Sequence, residues 1–228
     1  MKHLAVIMDG NRRWAKQRGL RPWLGHRQGA ESIKRIVDFC LKKGISYLSL
    51  YTFSLENFRR PESELSFLFD LIKHESLKQL DLFLKYGVRV RFVGDRSLFP
   101  DSIKPTIEKL ETETGHLTNL NLNFLFCYGA RQEIVGGIKK LLSKVKDGVL
   151  AEQDISEEAF SECLWTAGMP EPELIIRTGG AVRLSNFLLF QAAYSEFYFL
   201  DCLWPEIEEK HLLAAYQQFE DCKRNFGS

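Results

Sequence analysis

A chain of 228 residues with 45% hydrophobic content can bury a sizeable core, and its length suits a single domain over 1–228 better than two small ones. Its 31 basic residues nearly cancel its 30 acidic ones, and a formal net charge of +1 excludes recognition of nucleic acid or an anionic membrane through an overall field. Cysteines at 40, 127, 163, 202 and 222 form no C-x-x-C pair, and charges interrupt every apolar run before it could span a bilayer, so a reduced, soluble, cytoplasmic chain is expected.

Strand and helix patterns alternate along the chain. LAVIM is a short apolar run ending at Asp9, and MDGNRR precedes the start of a helix. From Gly29, GAESIKRIVDFCLKKG places Ile33, Ile36, Val37, Cys40 and Leu41 at helical spacing and stops at Gly44. ISYLSLYTF is the next strand. PESELSFLFDLIKHESLKQLDLFLKYG begins with proline and acids and is expected to run as one long helix to Gly87. VRVRFVGD alternates as a strand, FPDSIKPTIEKLETETG is expected as a helix, NLNLNFLF as a strand and ARQEIVGGIKKLLSKVKDG as a helix. A helix over Ser156 to Ala167, short strands ELIIR and EFYFL, and a closing helix PEIEEKHLLAAYQQFEDCKRNF complete the pattern. About six strands separated by helices imply an α/β fold: a central, mostly parallel sheet flanked by helices, because parallel neighbours need crossover connections.

Ligands of such sheets sit beyond the carboxyl ends of the strands. Asp9-Gly10-Asn11, Ser54-x-Glu56-Asn57, Gly94-Asp95 and Arg177-Thr178-Gly179-Gly180 all follow strands at that edge. MDGNRR combines backbone N–H groups at a helix start with Arg12, Arg13 and Lys16, which suits a phosphate or diphosphate or, more blandly, a solvated basic turn. It is neither a GxxxxGK[ST] loop nor GxGxxG, so nothing supports nucleotide binding. RTGGAVRLSN repeats the theme with Arg177, Arg183, Ser185 and Asn186, the last able to start a helix; two guanidinium forks can clamp phosphate oxygens. Asp9 and Glu196 are the carboxylates expected beside those phosphates, where Mg²⁺ binds through one or two carboxylates plus substrate oxygens. The histidines have no zinc-ligand spacing. His26, after Gly25, is either an N-terminal cap or a phosphate contact. Leu65, Phe67, Leu68, Phe69, Leu71 and Ile72 surround their helix rather than lining one face, which fits a doubly buried helix, a dimer contact or a hydrophobic tunnel for a hydrocarbon.

Five blocks, MDGNRRWAK (8 to 16), GHRQGA (25 to 30), YTFSLENFRRP (51 to 61), RTGG with RLSNFLLFQ (177 to 191) and YSEFYFLDCLWP (194 to 205), resemble the cis-prenyltransferases of the bacterial undecaprenyl diphosphate synthase type, in the family's order. The resemblance implies Mg²⁺-dependent, sequential addition of isopentenyl diphosphate to an allylic diphosphate such as farnesyl diphosphate, each new double bond cis, to give a long-chain polyprenyl diphosphate of undecaprenyl type for cell-wall lipid carrier synthesis. It implies Asp9 as the carboxylate at the heart of the site, a catalytic residue and Mg²⁺ ligand, with Gly10, Asn11, Arg12 and Arg13 cradling the allylic diphosphate and Trp14, Arg21 and His26 beside them. Arg177, Arg183, Leu184 and Ser185 match the isopentenyl diphosphate side, and Glu196 matches a metal ligand. Ser54, Leu55, Glu56, Asn57, Phe58 and Arg60 match a loop near the condensing carbons, with Asn57, Asp9 or the departing diphosphate as proton acceptor. Leu120 matches a position closing the tunnel floor. A homodimer and loose membrane association through the lipid product are also implied. Ala181 and Val182 depart from the family's usual RTGGE block, so no metal ligand is carried onto either; Cys127 and Ala130 depart from its NYGGR block. A non-catalytic partner subunit would lack the Asp9, Asn11 and Arg13 block, and an RNA-binding module would need aromatic stacking motifs that are missing here.

Overall fold

The computed structural model describes residues 1–222, so the end of the closing helical pattern, residues 223–226, lies outside the described residues. In chain order the elements are β1 (His3–Ile7), α1 (Asn11–Gln17), α2 (Leu24–Lys43), β2 (Tyr47–Ser54), α3 (Glu62–Lys78), α4 (Leu80–Tyr86), β3 (Val88–Val93), α5 (Lys104–Thr114), β4 (Leu120–Tyr128), α6 (Ala130–Lys146), α7 (Glu157–Ser161), β5 (Leu174–Arg177), β6 (Glu196–Phe199) and α8 (Glu209–Asp221). The strands form one six-stranded sheet in the order β3-β4-β2-β1-β5-β6. Every pairing is parallel. The expected architecture is therefore present, and β1 lies in the interior of the sheet between β2 and β5.

Alternation sorts the side chains. Leu4, Val6, Leu48, Leu50, Val90, Leu122 and Ile176 enter the larger core, which α2, α3, α4, α5 and α8 cover. Ala5, Ile7, Leu125 and Ile175 face the other side, beneath Ala130, Phe187 and Leu188. β1 is buried on both faces, which is why HLAVI reads as an unbroken apolar run rather than an alternating one. Even His3 is inside, its Nδ1 2.7 Å from the Pro170 carbonyl oxygen and its Nε2 2.8 Å from Ser49 Oγ.

Several boundaries differ from the sequence expectation. The long apolar helix is two, α3 and α4, broken at Gln79 before Gly87 closes the second with a left-handed cap. α2 starts at Leu24, so Gly25 and His26 lie in its first turn. Gly25 is required there by packing: a Cβ would sit 1.8 Å from the Asn11 backbone oxygen. Residues 156–167 form only the short α7 followed by turns, and no helix begins at Asn186, whose φ is +65°. Cys40, Cys127 and Cys163 are buried, Cys202 is half-buried and Cys222 is exposed; all are free thiols.

Candidate active site

β1 delivers Asp9 just past the carboxyl edge of the sheet. Gly10 follows at φ +110°, where a Cβ would meet Leu203 at 2.9 Å, so this turn needs glycine for both conformation and space. The Asp9 carbonyl oxygen accepts from Thr178 Oγ1 (2.7 Å) and the Trp204 backbone N–H (3.0 Å). Its carboxylate is gripped from two sides: Arg177 Nη2 donates to Oδ2 at 2.8 Å and Arg13 Nη2 lies 3.2 Å from Oδ1. Burial by itself would raise the Asp9 pKa, but the hydrogen bonds and charges of Arg177 and Arg13 outweigh it and hold the carboxyl below its ordinary value. Asp9 is thus a permanent anion at neutral pH, embedded in fixed positive charge.

Arg177 organises the second loop. It is only 4% exposed, and its Nη1 donates to Ser185 Oγ at 2.8 Å and to the Arg183 carbonyl. Its Nε is buried without an acceptor. Ser185, Asn186 and Leu188 all have positive φ, an unusual run for non-glycine residues and one that costs on the order of 1–3 kcal/mol each. The loop is held in this shape by Asn186, whose side chain accepts from the Arg131 N–H and donates to Glu56 and Gln132. The Tyr51 hydroxyl adds a bond to the Ser185 carbonyl at 3.3 Å.

A third group closes the mouth from α2 and α3. Arg60 donates to Glu64 at 3.1 Å and lies 3.4 Å from His26 Nε2, while Arg12 lies 3.8 Å from the same Glu64 carboxylate. Glu64 is 3% exposed. Burial, then the charges of Arg60 and Arg12, push the His26 pKa down to about 3, so the ring is neutral and its helix position rules out the capping role. Burial likewise lowers His3 to about 4. A histidine whose folded pKa lies below its unfolded value binds fewer protons when folded, so stability rises with pH across that interval. Stability should therefore be full above about pH 6.5 and fall as pH drops toward 4, with each ring removing on the order of 1–2 kcal/mol by pH 5. Melting temperatures recorded from pH 7.5 to 4 check this, and a level profile would refute it.

Between these groups opens a cavity of about 380 Å³. Asp9, Asn11, His26, Ser54, Asn57, Arg60, Arg177, Arg183 and Ser185 line its polar end. Ala30, Ile33, Phe53, Leu68, Leu71, Ile72, Phe83, Phe92 and Phe124 line most of the remainder, between the sheet and helices α2 to α4, together with Glu75, Ser76 and Gln79 of the α3 end. The arrangement has a cationic mouth able to hold anionic oxygens and an apolar interior able to hold a hydrocarbon.

The expected residues divide accordingly. Arg13 supports the mouth through Asp9 and the Gly179 carbonyl (2.7 Å), and Gly10 shapes the turn. Leu55, Glu56, Phe58 and Leu184 stand behind the cavity lining: Phe58 packs edge-on against Phe53 with ring centroids 5.0 Å apart, and Leu184 packs into the smaller core. Arg21 and Trp14 are outside the cavity. The Arg21 guanidinium lies 5.6 Å from the Trp23 ring centroid, because residues 18–22 turn outward before α2, and Trp14 carries Arg18 over its ring.

Glu196 is also displaced. The β5–β6 register pairs it with Leu174, three residues before Arg177, which puts it about 10 Å down the strand toward the amino edge. Asp201, beside Gly180, is the β6-side carboxylate at the carboxyl edge instead. Gly94-Asp95 shares that edge but follows β3, an outer strand separated from β1 by β4 and β2. Leu120 is fully buried at the start of β4, and it is Phe124, two same-face positions further along, that lines the cavity. Sequence reasoning missed Tyr51, Glu64 and Thr178. Only Glu64 had a local signal, its i,i+4 spacing from Arg60.

Sequence and fold together match a known family. The sequence matches the family described as "Putative undecaprenyl diphosphate synthase" over residues 7–227. It is 46% identical to an isoprenyl transferase of Clostridium perfringens over 99% of this chain and 89% of that protein. It is 43% identical to the ditrans,polycis-undecaprenyl-diphosphate synthase ((2E,6E)-farnesyl-diphosphate specific) of Legionella pneumophila, over 99% and 95%. The crystal structure of lavandulyl diphosphate synthase from Lavandula x intermedia in complex with dimethylallyl diphosphate superposes with a TM-score of 0.96 at 32% identity, covering 100% of this chain and 98% of that one. The chain belongs to the cis-prenyltransferase family. It is a prenyl transferase of the cis-prenyl diphosphate synthase kind.

Proposed function

We propose that the chain condenses isopentenyl diphosphate repeatedly onto an allylic diphosphate, with farnesyl diphosphate as starter, to give a polyprenyl diphosphate of the undecaprenyl class. The observation that carries this reading is the Asp9–Arg177–Arg13 cluster at the mouth of a largely apolar cavity. A diphosphate fits the cationic mouth, where the buried Arg177 Nε offers a donor with no protein acceptor. The prenyl tail fits the apolar interior. Mg²⁺ suits this donor set: no cluster of three or more ligating side chains exists among the described residues, and Asp9 supplies a single hard carboxylate for an ion whose other ligands are substrate phosphates and water. Bound there, the ion would supply charge neutralisation of a leaving diphosphate. Glu196 of the same chain is not part of that set.

The chain's own residues do the rest. Arg177 and Arg13 hold Asp9 and present their remaining donors to phosphate oxygens, so charge developing on the leaving group meets dipoles already in place. Arg183 and Ser185 orient the second diphosphate. Asn57 Oδ1 accepts the Ser54 N–H at 3.2 Å, and Asp9 is held ionised by two guanidinium groups, so both are weak bases. The departing diphosphate is the stronger oxygen base and takes the proton in this scheme, with Asn57 positioning the loop.

A homodimer belongs to the proposal. Phe197 and Phe199 stack at an interplanar angle of 7° and are each 37% exposed on β6, an outer strand with one unpaired edge. No helix among the described residues is long and apolar enough to cross a membrane, and membrane association would come through the lipid product at the cytoplasmic face. Incubation with radiolabelled isopentenyl diphosphate and farnesyl diphosphate, with Mg²⁺ or with a chelator, tests the reading. Chain-extended product that disappears on chelation is expected; no incorporation, or incorporation indifferent to chelation, would overturn it.

A further inference from the structure

The short 3-10 helix Leu55–Arg59 follows β2 and leads through Arg60 into α3. None of its residues is buried, so its position depends on what holds its two ends. At one end Arg60 donates to Glu64 at 3.1 Å and stands 3.4 Å from His26 Nε2, in the half of the mouth that also holds Arg12. At the other end Glu56 Oε1 accepts from Asn186 Nδ2 at 2.8 Å, in the half formed by Arg183 and Ser185. Between the ends Asn57 lines the cavity, its Oδ1 accepting the Ser54 N–H. The segment is a strut between the two halves of the mouth.

The Asn186 end is tightly defined. Asn186 sits at φ +65° next to Ser185 at +53°, its Oδ1 accepts the Arg131 N–H and its backbone carbonyl the Ala130 N–H, both at 2.9 Å. A Cβ on Gly129 would lie only 2.8 Å from Asn186 Nδ2, so the side chain has no room to swing toward α6. A diphosphate held by Arg183 and Ser185 restrains Asn186 through a single peptide link, and Asn186 restrains Glu56 and the strut. We infer that the Asn186–Glu56 hydrogen bond couples the two substrate sites: isopentenyl diphosphate orders the strut, which sets Asn57 and Arg60 for the allylic diphosphate, and by linkage the allylic ligand tightens isopentenyl diphosphate binding by the same factor. Neither residue lines the cavity, so both are positioning residues. The inference rests on the proposed two-substrate reading and deepens it, since it assigns a mutual dependence to sites that could otherwise fill independently.

Calorimetric titration of isopentenyl diphosphate, with and without saturating farnesyl thiolodiphosphate, whose C–S bond resists ionisation, measures the coupling directly. In the wild-type chain the allylic analogue should tighten isopentenyl diphosphate binding by about fivefold or more. Asn186→Asp keeps the acceptor for the Arg131 N–H and tolerates the left-handed backbone, but it replaces the donor to Glu56 with a like charge. The coupling should fall below about twofold, while affinity for isopentenyl diphosphate alone changes by less than about threefold. Adding Glu56→Gln restores the hydrogen bond with donor and acceptor exchanged and should recover most of the coupling, which a general loosening of the loop would not do. If circular dichroism and melting show Asn186→Asp to be misfolded, Glu56→Ala on the exposed partner decides, and it too should abolish the coupling. Wild-type binding without coupling, coupling that survives in the folded single variants, or no recovery in the double variant overturns the inference. Failure of the wild-type chain to bind either ligand overturns the proposed function as well, so the two failures are distinguishable.

Discussion

Asp9→Ala should reduce turnover of isopentenyl diphosphate by about 10²–10³-fold, the scale seen when one preorganised electrostatic group is removed from a reacting centre. The loss has two parts. The anion that suits Mg²⁺ disappears, and Arg177 and Arg13 lose the carboxylate that fixes their guanidinium groups 2.8 and 3.2 Å away. Asp9→Asn separates them, since the amide oxygen can still accept from one arginine but the charge is gone. Steady-state rates measured across a Mg²⁺ titration check the prediction: Asp9→Asn should remain slow at every Mg²⁺ concentration, whereas a rate restored at high Mg²⁺ would reduce Asp9 to a simple affinity contact.

Arg177→Ala should be the most damaging change on the isopentenyl side. It deletes donors to Asp9, Ser185 and the Arg183 carbonyl together, each charge-assisted bond contributing roughly 1.5–3 kcal/mol. The KM for isopentenyl diphosphate should rise by about 10²-fold or more. The strained stretch around Ser185 should relax, lowering the melting temperature as well. Arg177→Lys keeps the charge but cannot span Asp9 and Ser185 at once, so it should recover little of the affinity. Near-normal KM in the lysine variant would mean that the fork geometry is unimportant.

The alternation of apolar runs and amphipathic helices was enough to anticipate six strands and their parallel pairing, because each crossover leaves a helical period between two buried strands. Helix ends were less legible. Gln79 breaks α3 from α4 without glycine or proline, and only the tertiary path of the chain over the sheet shows it. The Asp9 and Arg177 loops stood out because charge next to glycine at a strand end is conspicuous. Glu196 was misplaced although EFYFL begins with it: the first residue of a parallel strand lies at the amino edge, and the pairing with Leu174 puts the acid there. For Leu120 the sequence was silent in a related way, since burial on a strand does not say whether a residue faces a cavity or lies beneath one that does. Thr178 and Tyr51 were invisible, as their roles depend on atoms more than 75 residues away in the chain.

The closure of the Asp9 turn has a consequence for biosynthesis. Its carbonyl is capped by Thr178 and Trp204, Gly10 nestles against Leu203, and the Trp204 indole donates to the Gly29 carbonyl at 2.8 Å. β1, β2, β3 and β4 can pair as soon as residue 128 has left the ribosome, yet the first loop of the site has no lid until residues 174–204 arrive and add β5 and β6 to the open side of β1. A nascent chain therefore carries an apolar groove without the Arg177 half of its cationic mouth while residues 129–204 are made, and competence arrives in one late step, when the last quarter of the polypeptide docks.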